Sequence, residues 1–92
     1  MAVYLITYDL NKSGQNYESL YKEIKALGDW YHFMDSGWFV DVNTFTYPNA
    51  TSINDKLIKV IDKNDWLFVT MVTSDRNGWL PKDAWDWLNS RS

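Results

Sequence analysis

Two stretches, "AVYLITY" at residues 2–8 and "WLFVTMVT" at residues 66–73, constrain any fold open to this chain. Each is rich in β-branched and aromatic residues, and each is apolar at both alternating sets of positions. That pattern predicts strands that need cover on two faces. In the first, Tyr4, Ile6 and Tyr8 share one face and Val3 and Leu5 the other. Such a strand belongs inside a sheet, and the second is expected to pair beside it.

The intervening sequence has a different period. After the polar "NKSGQ", Asn16 can cap a helix whose apolar positions Tyr17, Leu20, Tyr21, Ile24 and Leu27 recur at helical spacing. Gly28 is expected to end it in a left-handed cap. "WYHFMDSGWFVDVN" predicts two short strands around Asp35, Ser36 and Gly37, joined by a hairpin turn or offset by a bulge. After the loop "FTYPNATS", Thr51 or Ser52 is expected to cap a second helix with Ile53, Leu57, Val60 and Ile61 inward. Thr51 with Asn54, or Ser52 with Asp55, resembles a capping box. The chain breaks again at "SDRNG", and Pro81 at a first helical position opens a short helix through Leu88, with Trp85 and Leu88 on one face.

Strand, helix, strand, strand, helix, strand and a short terminal helix predict an α+β protein of ferredoxin-like βαββαβ type. The 92 residues suffice for one core, so residues 1–92 are read as a single domain with a core over 2–73 and a C-terminal extension over 78–92. Sixteen aromatic residues, six Trp, six Tyr and four Phe, let a chain this short bury a large area. Right-handed crossovers place both crossover helices on one sheet face. The other face, reached by Val3, Leu5, Val69 and Met71 or their alternates, is then left without cover, and a homodimer through that face supplies it.

Composition excludes several functions. With no cysteine there is no disulfide, zinc-thiolate site or thiol nucleophile. No apolar run approaches the roughly 20 residues that span a bilayer, so no membrane partner is expected, and without a visible signal peptide the cytoplasm is the expected location. A net charge of −3 disfavours broad attraction to phosphate backbones.

The opening strand ending in "YD", the helix ending at "LG", and the hairpin carrying "SGWFV" resemble the small Cas-two family of CRISPR-associated proteins, over about residues 2–73. The segments "YLITYDL" and "LGDWYHFMDSGWFV" are most similar to its stand-alone SinR-like branch, with virulence-associated protein D as a more distant relative. The resemblance implies a ferredoxin-like homodimer in which the first-strand aspartate of each chain approaches the two-fold axis and shares a divalent metal such as Mg²⁺. Asp9 holds the matching position. In some members that metal is credited with cleaving RNA or DNA, whereas others are dimeric scaffolds. The arginine-rich stretch that often follows the aspartate is here "NKSG", with Lys12 alone, and the tail is an aromatic helix.

Asp9 is therefore the candidate catalytic and metal-binding residue, since two symmetry-related carboxylates suit a hard cation that keeps its waters. The competing reading has Asp9 end the strand and bond the backbone of the following turn. Secondary candidates are Tyr8, the sole histidine His32 as an acid or base, and Ser36 in the bend; neither Ser36 nor Ser13 has a visible histidine-carboxylate relay. Trp79, Trp85 and Trp87 are candidates for a self-packing tail or a partner interface, because interleaved arginines for base stacking are missing. Helix lysines such as Lys22 and Lys56 alternate with acids as a solvated surface. Three functions remain: a metal-dependent nuclease or its inactive relative, an acidic protein-interaction module of phage or mobile-element origin, and a metal-independent toxin-like ribonuclease.

Overall fold

The structure, a computed structural model, describes residues 2–11 and 17–91. Lys12, Ser13 and the expected cap Asn16 lie outside the described residues. In chain order the elements are β1 (Ala2–Asp9), α1 (Tyr17–Lys25), β2 (Gly28–Met34), β3 (Gly37–Val42), α2 (Ala50–Leu57), β4 (Trp66–Met71) and α3 (Lys82–Asn89). A 3-10 turn over Ile58–Val60 continues α2. The strands form one antiparallel sheet in the order β2-β3-β1-β4, so the fold is α+β and β1 is interior, paired with β3 and β4. Among the described residues no helix is long and apolar enough to cross a membrane.

The main core lies between the sheet and helices α1 and α2. Tyr4, Ile6 and Tyr8 from β1 meet Trp38, Val40 and Val42 from β3, and Leu20, Ile24, Ile53 and Leu57 close over them. Each aliphatic side chain buried there contributes about 1.5–3 kcal/mol relative to exposure. Helical spacing anticipated this face, although α1 stops at Lys25, with Leu27 buried just beyond it.

Three local expectations are corrected. Gly28 is not a left-handed helix cap but the first residue of β2, where any Cβ would collide with the Asp41 carbonyl oxygen across the ladder. The cap of α2 is Asn49, whose Oδ1 accepts from Ser52 N at 2.9 Å, so neither Thr51 nor Ser52 serves as cap and neither capping box forms. Pro81 sits at the cap of α3 rather than inside its first turn. The hairpin expected at Asp35 and Ser36 is present, and a register irregularity between Tyr31 and Met34 accompanies it.

The opposite sheet face is not left bare, contrary to expectation. Leu88 of α3 packs with Val3 and Phe39, and Leu5, Tyr31, Trp85 and Trp87 pack around them, so α3 covers the face over β2 and β3. The C-terminal end is pinned by Arg91, whose Nε donates to Asp29 Oδ2 at 2.9 Å and whose guanidinium lies 4.3 Å from the Trp87 ring. Among the described residues, the uncovered part is the strip along the ends of β1 and β4. There Phe68 stands opposite Thr7 and Trp66 opposite Asp9, and both aromatics are largely exposed, at 61% and 71%. Val69 instead packs on the main core, and Met71, opposite Tyr4, shares that side.

Candidate functional site

The last residues of β1 meet the bend between β2 and β3, and main-chain carbonyls hold the two together. Ser36 O accepts from Thr7 Oγ1 at 2.8 Å and from Tyr8 N at 3.3 Å. Asp35 O accepts from Tyr8 Oη at 3.0 Å and lies 3.1 Å from His32 Nε2. A carbonyl only accepts, so Nε2 is the donor in that contact. Trp38 Nε1 donates to Tyr8 Oη at 3.0 Å inside the core. The phenol of Tyr8 is thus both donor and acceptor. Burial raises its pKa well above the usual tyrosine value, and the neighbouring Tyr21 hydroxyl raises it further. The Tyr8 hydroxyl thus ties the end of β1 to both the bend and the Trp38 indole.

His32 stacks on Trp38 with centroids 3.9 Å apart and planes 9° from parallel, and Tyr21 meets it edge-on at 5.2 Å. These contacts orient the ring over the indole. Ser36 lies beside Asp9 and Tyr8 on the wall of one cleft, together with Asp35, Tyr17 and Tyr21. The structure therefore brings Tyr8, Asp9 and Ser36 to one place and ties His32 to its edge through Asp35.

Asp9 is exposed and ends β1 on a ridge between that cleft and a shallower one lined by Thr7, Trp66 and Phe68. Among the described residues its carboxylate has no hydrogen-bonding or ion-pairing partner. The turn that follows Asp9 lies mostly outside the described residues. Asp65, which is buried, holds the neighbouring backbone: its Oδ1 accepts from Asn11 N at 3.0 Å and its Oδ2 from Asp62 N at 2.9 Å. Sequence reasoning missed Asp65, for which "DKND" offers only a turn signal.

Among the described residues no three His, Asp or Glu side chains converge as a metal-binding group. Asp9 of one chain alone therefore has no metal-binding cluster around it among the described residues. Of the tail tryptophans, Trp85 and Trp87 are partly buried against the sheet, whereas Trp79 is fully exposed. Self-packing accounts for the first two and not for the third. No family model matches the chain, and no curated protein matches it.

Proposed function

We propose that the protein is a ferredoxin-like, Cas-two-like homodimer whose two copies of Asp9 come together at the two-fold axis as a divalent-metal site for phosphodiester cleavage, or as its inactive remnant. One observation carries this reading: among the described residues, an exposed carboxylate without a partner lies at the end of an uncovered apolar strip on the sheet, beside Trp66 and Phe68. The element order and the β2-β3-β1-β4 sheet support the ferredoxin-like assignment.

The uncovered strip narrows how two copies join. With α3 seated over β2 and β3, the seam runs along β1 and β4, and Trp66 and Phe68 supply its apolar contact. Two carboxylates on that axis meet the oxygen preference of Mg²⁺, which completes its shell with water. The chemistry supplied by a bound divalent cation would be polarisation of a phosphoryl oxygen and activation of water. Asp9 holds charge at the axis, while Thr7 and Tyr8 fix the strand end by their bonds to the bend.

Cleavage of labelled RNA and DNA with Mg²⁺ tests the reading. Asp9→Ala is expected to abolish cleavage while the two-chain mass persists; equal cleavage by wild type and variant would sink it. Cleavage that survives a chelator would instead favour the metal-independent ribonuclease.

A second reading, a non-catalytic acidic protein-interaction module, draws on the full exposure of Trp79. Trp79→Ser is the appropriate variant, because deleting the tail also strips α3 from Val3 and Phe39. Loss of protein capture with Trp79→Ser and no co-purifying nucleic acid would support it.

A further inference from the structure

The two edges of the sheet differ. At one edge, β2 opens on Gly28, carries Asp29 and loses its register between Tyr31 and Met34. Charges and irregularities of this kind keep an edge from pairing with another chain. At the other edge, β4 has none of them. Its residues, "WLFVTM", include no charge, glycine or proline, and its register with β1 runs unbroken from Met71 opposite Tyr4 to Trp66 opposite Asp9.

The ladder also fixes which main-chain groups of β4 are left over. Val72 N donates to Val3 O at 2.9 Å, and these two residues stand opposite each other when the register is continued by one step. Hydrogen-bonded pairs recur at every second position of an antiparallel ladder, so Thr70, Phe68 and Trp66 also aim their N–H and C=O at β1. Leu67, Val69 and Met71 aim theirs the other way, where no strand lies among the described residues. Donors and acceptors repeating every two residues along an extended chain are matched by a second extended chain.

These three residues are symmetric about Val69. An antiparallel copy of β4 centred there sets Val69 against Val69 of the partner subunit and Leu67 against Met71 of the partner subunit, so every outward N–H meets a C=O. Between them, Phe68 faces Thr70 of the partner subunit, an aromatic beside a β-branched side chain, which is a favourable cross-strand pair. Trp66, Phe68 and Met71 are three of the nine exposed large hydrophobic side chains among the described residues, and all three lie on this strand. The pairing gives Met71 an apolar neighbour and Phe68 a methyl group.

We propose that β4 pairs edge to edge with β4 of a second copy, antiparallel and centred on Val69, making the two four-stranded sheets continuous. The contact does not rest on the proposed Asp9 seam. The seam uses side chains on the sheet face, whereas the ladder uses the main chain at its edge. Where both form, the ladder joins two seamed pairs. A ladder this short is a small interface beside the about 800 Å² per partner of a stable dimer, so association responds to concentration.

Sedimentation equilibrium of the full chain over about a hundredfold concentration range, with amide hydrogen exchange at both ends of it, tests the proposal. The mass is expected to double from whatever unit is present at low concentration. The amides of Leu67, Val69 and Met71 are expected to slow at least about tenfold as it does, while those of Phe68 and Thr70 are slow throughout. Met71→Lys, which charges this edge, is expected to raise the concentration for half-association at least about tenfold. Met34→Lys makes the same change on β2 at similar exposure, 52% against 48%, and is expected to shift it by less than about twofold. Circular dichroism confirms that each variant is folded, and the exchange readout needs no variant. Constant mass overturns the proposal and leaves the edge to a strand of another protein. Doubling without slowing of the three outward amides, or an equal effect of Met34→Lys and Met71→Lys, also overturns it. Failure of the seam changes the mass of the starting unit but neither the doubling nor these amides.

Discussion

Asp9 stands directly across from Trp66 in the β1–β4 ladder, an exposed carboxylate beside an exposed indole. Phe68, opposite Thr7, extends the same strip, so polar groups of β1 lie beside apolar groups of β4 where, among the described residues, α3 does not cover the sheet. The proposed assembly rests on this pairing.

If the strip is the seam between two copies, Trp66→Glu places a charge in it and should convert a two-chain species to a one-chain species in light scattering. The monomer itself should keep its stability within about 0.5 kcal/mol, because the indole makes little use of the fold's own core. An unchanged mass would move the seam elsewhere.

Tyr8→Phe removes the acceptor of the Trp38 indole proton and the donor to Asp35 O. Leaving a buried donor unpaired costs about 1–3 kcal/mol. A urea midpoint unchanged from wild type would show that the Tyr8 hydroxyl does not anchor the bend.

The same hydroxyl makes stability depend on alkaline pH. Its pKa is raised in the folded state, so above the ordinary tyrosine value of about 10 the unfolded chain has lost a proton that the folded chain keeps. The contribution is complete below that pH and is lost as pH rises from there through the folded value. Urea unfolding across this range should show falling stability in wild type and a shallower fall in Tyr8→Phe.

Arg91 joins the last turn of the chain to Asp29 and lies 4.0 Å from Asp41, which is only 8% exposed and has one oxygen without a hydrogen-bond partner. Arg91→Ala should cost about 1–2 kcal/mol, most of it from isolating Asp41, since the Asp29 pair is solvent-screened. Acrylamide quenching of tryptophan fluorescence should rise as α3 loosens over Trp87. Unaltered quenching would show that apolar contact alone holds α3.

The sheet and its main core were legible because β1 carries no polar residue before Thr7, which leaves burial on both faces as its only outcome. Helical spacing likewise placed Leu20, Ile24, Ile53 and Leu57 correctly. The cover provided by α3 was not legible: "AWDWL" shows an apolar face but not the surface that receives it, and its anchor joins residues 62 positions apart. The knot at the bend escaped for another reason, since Asp35 and Ser36 act there through main-chain carbonyls that no side-chain pattern encodes. Tyr17 and Tyr21 read as core positions by spacing, yet α1 overhangs the sheet end and leaves their rings lining a cleft.

The central claim is that two copies of Asp9 meet across a two-fold axis, and the absence of native cysteine gives a direct measurement of it. Asp9→Cys, treated with a short bismaleimide, should yield a covalent two-chain product in high yield, while Lys63→Cys under the same conditions should remain single-chain. A cross-linked product from Lys63→Cys but not from Asp9→Cys would contradict the account.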